Sequence, residues 1–350
     1  MKGKGAGLRC GRRHARWAAM NTRMFGKTGR TVGEIGLGTW QLGANWGDVT
    51  DATARATLRA AYEAGTTFFD TADVYGMGRS ETFIGEFLRE LGPARSSGVY
   101  VATKLGRFSP PGWPENFSRA GVRLHTEASL KRLGVERIDL TQLHCVPGEV
   151  MARGEIFESL RELQREGKIG AFGASVESMD EAAICLRQPD LAALQIIFNI
   201  FRQKPIHTLF AAAKRQNVAL IVRLPLASGL LGGKMTAATT FAASDHRNFN
   251  ADGQKFNVGE TFAGLPFSKG VALADALKPL VPAGLTLPEL ALRWCLDFDA
   301  VSVLIPGAKN PEQALANTRA AARPALSPEL HAKLAEFYDR EVAAHIRGPY

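Results

Sequence analysis

Four side chains of this sequence could together move a proton to and from an oxygen atom. Asp70 ends the apolar run Thr66–Asp70, and Tyr75 follows five residues on, in Asp73-Val74-Tyr75-Gly76. Lys104 closes Gly98–Lys104, and His144 closes Arg137–His144. Taken singly, each has an ordinary reading: a helix cap, a packed ring, a surface ion pair, a satisfied core histidine. Together they make one chemical proposition. An ammonium beside a phenol stabilises the phenolate, so the Tyr75 pKa is expected to fall below its usual value of about 10. Asp70 keeps the lysine charged, because desolvation alone drives a buried ammonium towards its neutral form. A tyrosine tuned in this way can give a proton to a carbonyl oxygen and take it back. His144 adds a second hydrogen bond to that oxygen, a charge stabilisation of roughly 3–4 kcal/mol. A carbonyl protonated at oxygen needs hydride at carbon, and the implied partner is a nicotinamide.

The surrounding pattern shows what must hold these groups. β-type runs alternate with helical spacing along the chain. Strands are expected at Glu34–Gly38, Thr66–Asp70, Gly98–Lys104, Arg137–His144, Ile169–Ser175, Ala193–Asn199, Ala219–Leu224 and Val301–Pro306. Helices are expected at 51–64, 81–91, 118–133, 155–166, 179–186, 206–215, 269–280, 288–296, 311–322 and 328–344. Strict alternation implies parallel strands joined by right-handed crossovers. Eight such units close into a (β/α)8 TIM barrel, an α/β fold of a single domain over 21–345. Its functional groups stand at the C-terminal ends of the strands. Asp70, Tyr75, Lys104 and His144 all come from that rim. The stretch Gly232–Phe267 breaks the rhythm and reads as a lid or binding loop.

Composition removes the competing classes. The chain has 350 residues, 45% hydrophobic and 22% charged, so it can fill a large core and is not a disordered polymer. It contains no apolar run of the length a membrane span needs. The net charge of +9 is uneven: residues 1–20 hold Lys2, Lys4, Arg9, Arg12, Arg13 and Arg16 and no acid. This basic segment lacks the apolar stretch of a secretory signal and is expected to be a disordered extension. The body is close to balance, which argues against a nucleic-acid partner. Cys10, Cys145, Cys185 and Cys295 form no C-x-x-C pair, and the histidines show no ligand spacing, so no metal site is expected. Reduced cysteines and the missing signal suit the cytoplasm. An open dinucleotide-binding sheet is disfavoured because Gln41 stands at the third glycine position after Gly36-Leu37-Gly38. Gly26-Lys27-Thr28 ends like a phosphate loop, but Asn21 replaces its first glycine.

Phe68–Glu81 (FFDTADVYGMGRSE), Val101–Gly106 (VATKLG) and Ile138–Cys145 (IDLTQLHC) resemble the signature segments of the aldo-keto reductases, over about Met24 to Ala322. The resemblance implies a (β/α)8 barrel and reversible, NAD(P)-dependent reduction of an aldehyde or ketone to an alcohol. It places the family's catalytic tetrad on Asp70, Tyr75, Lys104 and His144. Gly38, Thr39 and Trp40 correspond to the nicotinamide end. Ser175 and Gln195 correspond to carboxamide contacts, while Val176 stands where a side-chain amide is usual. Arg223, Leu224, Pro225, Leu226 and Ser228 correspond to the pyrophosphate-side loop, with Arg223 in place of a stacking aromatic. A guanidinium can stack on a ring, but its charge opposes an oxidised, cationic nicotinamide. Lys234 stands at the spacing of a pyrophosphate ligand. Gly307, Lys309, Gln313 and Asn317 fall in the adenosine-binding turn and helix, where free N–H groups suit phosphate. Lys309 stands where a 2′-phosphate is met, with Arg247 as a second candidate, so NADP(H) is expected over NAD(H). Trp46 and Trp113 are expected to line the substrate mouth near Trp40 and Tyr75, and the polar Asn248 and Asn250 to suit a sugar-like substrate. A second implied role is a cofactor-sensing subunit like the channel-associated members of the family.

Overall fold

A strand covered on both faces has no solvent side to show, so its sequence is a nearly continuous apolar run. Ala193–Ile197 (ALQII) and Ala219–Arg223 (ALIVR) are of this kind, and every residue in them is buried. The computed structural model describes residues 20–43 and 49–350. The expectations for residues 1–19 and for Trp46 lie outside the described residues.

A short antiparallel hairpin, β1 (Thr22–Met24) and β2 (Thr31–Gly33), precedes the barrel. The barrel strands follow in order: β3 (Leu37–Gly38), β4 (Phe68–Asp70), β5 (Tyr100–Leu105), β6 (Ile138–His144), β7 (Ile169–Ser175), β8 (Ala193–Ile197), β9 (Ala219–Arg223) and β10 (Val301–Leu304). Each pairs in parallel with the next. Hydrogen bonds from Gly36 N to the Leu304 carbonyl (2.7 Å) and from Leu304 N to the Glu34 carbonyl (3.0 Å) bring the first and last strands together. The expected (β/α)8 barrel is thus the observed one, and among the described residues no helix is long and apolar enough to cross a membrane.

Helix starts follow local chemistry. Thr50, Ser118, Ser178, Thr286 and Asn310 each accept a hydrogen bond from a first-turn N–H, and Thr286 forms a reciprocal capping box with Glu289. The Asn310 cap sets the helix Pro311–Arg319 with its N-terminus at the cleft described below.

Two apolar layers hold the molecule. One lies between strands and helices. The other fills the barrel, with Phe68, Tyr100, Leu140, Ala171, Ala193, Ile221 and Val303 coming one from each of β4 to β10. Phe25 and Val32 of the hairpin join this inner layer, and the Phe25 ring sits 5.3 Å from Phe68 and 5.0 Å from Tyr100. The hairpin therefore plugs the N-terminal end of the barrel. Gly26-Lys27-Thr28 is the turn of that plug. A Cβ at Gly26 would lie 2.7 Å from Ala219 N, and Gly26 has φ +51°, so glycine serves close packing there.

Some boundaries differ from expectation. The helix expected over 206–215 divides into Pro205–Thr208 and Phe210–Arg215, because Leu209 leaves helical geometry at φ −125°. The last helix is regular only to Phe337 and then widens into a π turn, Tyr338–Val342. Gly148–Arg153 forms a helix the sequence pattern did not show. The 232–267 excursion is built of short turns, including His246–Phe249, Val258–Glu260 and Phe262–Gly264.

Candidate active site

The Asp70 carboxylate, at the end of β4, is buried at the centre of the cluster. Its Oδ1 accepts from Lys104 Nζ at 2.5 Å. Its Oδ2 accepts from Gln142 Nε2 at 3.1 Å and Gln195 Nε2 at 2.8 Å. Lys104 Nζ also donates to the Thr71 carbonyl (2.8 Å) and to the Tyr75 hydroxyl (3.2 Å). Lysine and aspartate are both fully buried, so each depends on the other. Burial alone would lower the Lys104 pKa, but Asp70, joined by Tyr75, raises it above its ordinary value. The lysine stays a cation.

The expected direction for Tyr75 is not the observed one. Burial raises the phenol above its usual pKa, and the opposing pull of Lys104 does not overcome it, because Asp70 and Glu260 bring negative charge nearby. The sequence named the cation but could not weigh it against the depth of the hydroxyl. Tyr75 is therefore a protonated phenol over a wide pH range, ready as a donor. His144 stands across from it, ring centres 5.8 Å apart and nearly perpendicular. Burial, then Arg107 and Lys104, hold the His144 pKa well below its ordinary value. The ring is neutral, with one N–H to give, and its buried Nδ1 has no hydrogen-bond partner.

One cleft opens above this cluster. Asp70, Tyr75 and His144 line its floor, and Gly38, Thr39, Trp40, Ser175, Gln195, Arg223, Leu224, Pro225, Leu226, Ser228, Lys234, Gly307, Lys309, Gln313 and Asn317 complete its lining. The residues expected for the cofactor thus converge on one surface, and Arg247 joins them. The loop after β9 is bent sharply, with φ of +54° at Leu224, +48° at Ala227 and +56° at Ser228. Such conformations cost on the order of 1–3 kcal/mol each and persist only where the surroundings enforce them. Asn199 Nδ2 holds the Leu224 carbonyl at 2.9 Å, and Ser228 Oγ accepts from Phe262 N at 3.0 Å while donating to the Glu260 carbonyl at 3.2 Å. At the far end, Gln313 Oε1 accepts from Lys309 N (2.8 Å) and Asn317 Nδ2 donates to the Gly307 carbonyl (3.2 Å). These side chains brace the turn that leads into the helix Pro311–Arg319. Burial and the nearby Arg247 guanidinium lower the Lys309 pKa. Arg247 is itself paired with Asp245 at 2.6 Å.

Other expected residues lie elsewhere or act differently. Trp113 is 54% exposed, donates its indole N–H to the Gly106 carbonyl, packs on Phe117, and is not among the residues lining the cleft. The aromatic wall is instead Trp40, which stacks on Tyr75 (5.8 Å, 13°) and meets His246 (4.7 Å) and Phe256 (6.0 Å). Asn248 and Asn250 spend their amides inside the excursion, on the Phe241 carbonyl, Thr261, Lys255 N and Phe256 N. Gln142 went unnoticed; its signal was a polar residue inside the buried run Ile138–His144. Arg107, Glu177 and Glu260, joined in one ionic cluster, were also missed.

A parallel eight-stranded barrel with a lysine–aspartate–tyrosine cluster and a histidine at its C-terminal rim is the frame of an oxidoreductase. The model of the Aldo/keto reductase family matches residues 34–339, and the chain belongs to that family. It is 32% identical over 294 residues to the aldo-keto reductase YhdN of Bacillus subtilis, covering 82% of this chain and 84% of that one. Among solved structures it resembles the glycerol dehydrogenase AKR11B4 from Gluconobacter oxydans, with a TM-score of 0.75, 29% identity, and coverage of 94% and 98%. It is also 28% identical over 320 residues to a probable voltage-gated potassium channel subunit beta of Arabidopsis thaliana, covering 86% and 91%.

Proposed function

We propose that this chain is a cytoplasmic, NADP(H)-dependent reductase of small aldehydes or ketones, with Tyr75 as the proton donor. The observation that carries the reading is the contact of Lys104 Nζ with both Asp70 and Tyr75, beside His144, on the floor of a cleft. A bound nicotinamide would supply hydride to the carbonyl carbon. The protein's own part is the oxygen. The Tyr75 hydroxyl donates a proton to it, and the adjacent Lys104 ammonium stabilises the phenolate left behind. His144 donates a second hydrogen bond to the same oxygen as charge develops there. Asp70, held by two glutamine amides, keeps Lys104 charged and aimed. The raised pKa of Tyr75 favours the protonated form, which suits carbonyl reduction more than alcohol oxidation.

The residues present fit a phosphorylated dinucleotide. Lys309 and Arg247 repel one another at the far end of the cleft, beside a capped helix N-terminus. A phosphate dianion would relieve that repulsion and be favoured by the positive end of the helix dipole. These two cations support NADP(H) over NAD(H).

Tyr75→Phe tests the reading. Turnover of the best carbonyl substrate should fall at least about 100-fold in kcat, the scale of a general acid. The wild-type rate of reduction should hold through neutral pH and fall only in the alkaline range, above about 10, where a tyrosine deprotonates. A Phe variant with full kcat removes Tyr75 from the mechanism. The likeness to a channel beta subunit supports a second reading, a cofactor-sensing regulatory subunit. That role predicts slow single-turnover oxidation of bound NADPH, whereas the enzyme consumes NADPH steadily.

A further inference from the structure

Outside the cleft, three buried polar side chains meet for which the proton transfer has no use. Asp73 stands two residues before Tyr75, is wholly buried, and donates its backbone N–H to the Lys104 carbonyl at 3.1 Å. Neither of its carboxyl oxygens makes a hydrogen bond of ordinary geometry. Its Oδ2 faces His125 Nδ1 at 3.7 Å, and His125 Nε2 lies 2.8 Å from Asn116 Oδ1. Asp73, His125 and Asn116 are not among the residues lining the cleft.

Asn116 settles where the protons are. Its Nδ2 donates to the Gly106 carbonyl (3.2 Å) and the Phe108 carbonyl (2.6 Å), and its Oδ1 accepts from Gly112 N (3.0 Å). The reversed amide would set oxygen against two carbonyls and N–H against N–H, so its orientation is fixed. Oδ1 only accepts, and His125 Nε2 therefore carries the hydrogen. In a neutral ring Nδ1 is then a lone pair, and it faces Asp73. An ionised carboxylate opposite a lone pair is repulsive, and one proton between them removes the conflict. Burial decides which partner holds it. Burial, then Glu81, raises the Asp73 pKa to about 8, against the Val74 N–H, Arg132 and Lys104. Burial and Arg132 lower that of His125. At neutral pH the pair is a carboxylic acid facing a neutral imidazole. The charges around it come from three elements: Glu81 from Arg79–Leu91, Arg132 from Arg119–Leu133 and Lys104 from β5, with Arg132 bound to Glu81 at 2.6 Å.

What this proton holds in place reaches the cleft. Asn116 binds three points of one loop, Gly106, Phe108 and Gly112, and so sets the course of the chain leaving β5. Gly106 packs behind the histidine, since a Cβ there would lie 3.2 Å from Val146 Cγ2 and 3.7 Å from His144 N. Arg107, the next residue, donates to Glu260 at 2.7 Å, and Glu260 lines the cleft. A loop released from Asn116 shifts this wall of the cleft and leaves the hydroxyl proton of Tyr75 where it is.

We infer that His125 and Asn116 are positioning residues for that wall, and that they hold it only while a proton lies between Asp73 and His125. When the proton leaves, the imidazole is driven from the carboxylate, its bond to Asn116 weakens, and the loop is freed. The inference rests on the carbonyl-reductase reading above and adds how the rim of that same cleft is set.

The test uses the full chain with NADPH and glyceraldehyde on either side of about 8, at pH 7 and pH 9. The wild-type KM for glyceraldehyde should rise about five- to tenfold, the worth of one buried hydrogen bond, while kcat, which follows Tyr75, holds. Asp73→Asn keeps the shape and a donor towards Nδ1 but cannot ionise, so its KM at pH 9 should stay at the pH 7 value. Asn116→Ala should show the raised KM at both pH values. A second readout needs no turnover: amide hydrogen exchange over residues 106–116 should be faster in the wild type than in Asp73→Asn at pH 9, and equal at pH 7. Circular dichroism establishes that each variant is folded. A wild-type KM that stays flat, or that rises equally in Asp73→Asn, overturns the inference and leaves the reductase standing. Should Asp73→Asn not fold, an Asn116→Ala KM that climbs with pH as the wild type does overturns it, and one that stays level upholds it. Absence of turnover overturns the reductase. Exchange then decides the inference, upheld if the loop loosens at pH 9 in the wild type alone and overturned if both chains exchange alike.

Discussion

The two ends of the cleft are built on opposite principles. At the floor, Asp70 takes hydrogen bonds on both oxygens, from Lys104 on one side and from Gln142 and Gln195 on the other. Three of these four residues sit within strands of the barrel and the fourth closes one, so their positions are fixed before any ligand arrives. At the far end, Lys309 and Arg247 stand on loops and repel each other. The floor is complete as it is, and the far end is improved by an anion. Preorganised geometry serves a step in which charge must be met at once. A cation pair only partly offset by Asp245 serves binding, because the gain is collected only when the ligand arrives.

Breaking the floor should have the larger effect. Lys104→Met leaves the Asp70 carboxylate buried without its cation, and removing one partner of such a pair costs about 3–5 kcal/mol. Denaturant unfolding should show that loss, together with a fall in turnover. Breaking the far end should be milder and selective. Lys309→Met should weaken NADPH by about tenfold, the worth of one charge-assisted contact, with little change for NADH, as read by cofactor fluorescence titration. Equal weakening of both cofactors would place Lys309 on the pyrophosphate rather than on a 2′-phosphate.

A third region sharpens the comparison because its charge is neither paired nor exposed. Asp73 is buried, its Oδ2 lies 3.7 Å from His125 Nδ1, and burial, with Glu81 nearby, raises its pKa to about 8. An acid whose folded pKa is raised binds more protons folded than unfolded, so its contribution to stability falls as pH rises from about 4 to about 8. Asp73→Asn removes that dependence. The melting temperature of the variant relative to the wild type should therefore rise between pH 5 and pH 8. A constant difference across that range would mean that Asp73 does not titrate there.

The strands and the quartet Asp70, Tyr75, Lys104 and His144 could be read in the sequence because both are local signals. Buried parallel strands are apolar runs, and a functional group at a strand end interrupts such a run. Lys104 in YVATKL and His144 in IDLTQLH are visible for that reason. Gln142 was less visible, since its meaning lies in a hydrogen bond to Asp70 across the barrel. The direction of the Tyr75 pKa could not be read at all, because burial depth is a property of the whole fold. The same holds for the excursion. Its polar residues Asn248 and Asn250 looked like ligand contacts, yet they hold its own backbone, and Arg347 fastens it from the chain's other end through the Gly264, Leu265 and Ala251 carbonyls. Trp113 failed as a cleft residue for a similar reason, since nothing local says which way its loop turns the ring.

The Phe25 plug covers the bottom of a barrel already filled by side chains, which leaves a cup at the opposite rim. Anything that reaches the floor enters and leaves across the one open rim. Traffic is therefore governed by the loops at that rim, above all by the stretch carrying Glu260 and Arg247. Changes there bear first on the exchange of ligands, and through Glu260 they also alter the charge around Tyr75 and His144.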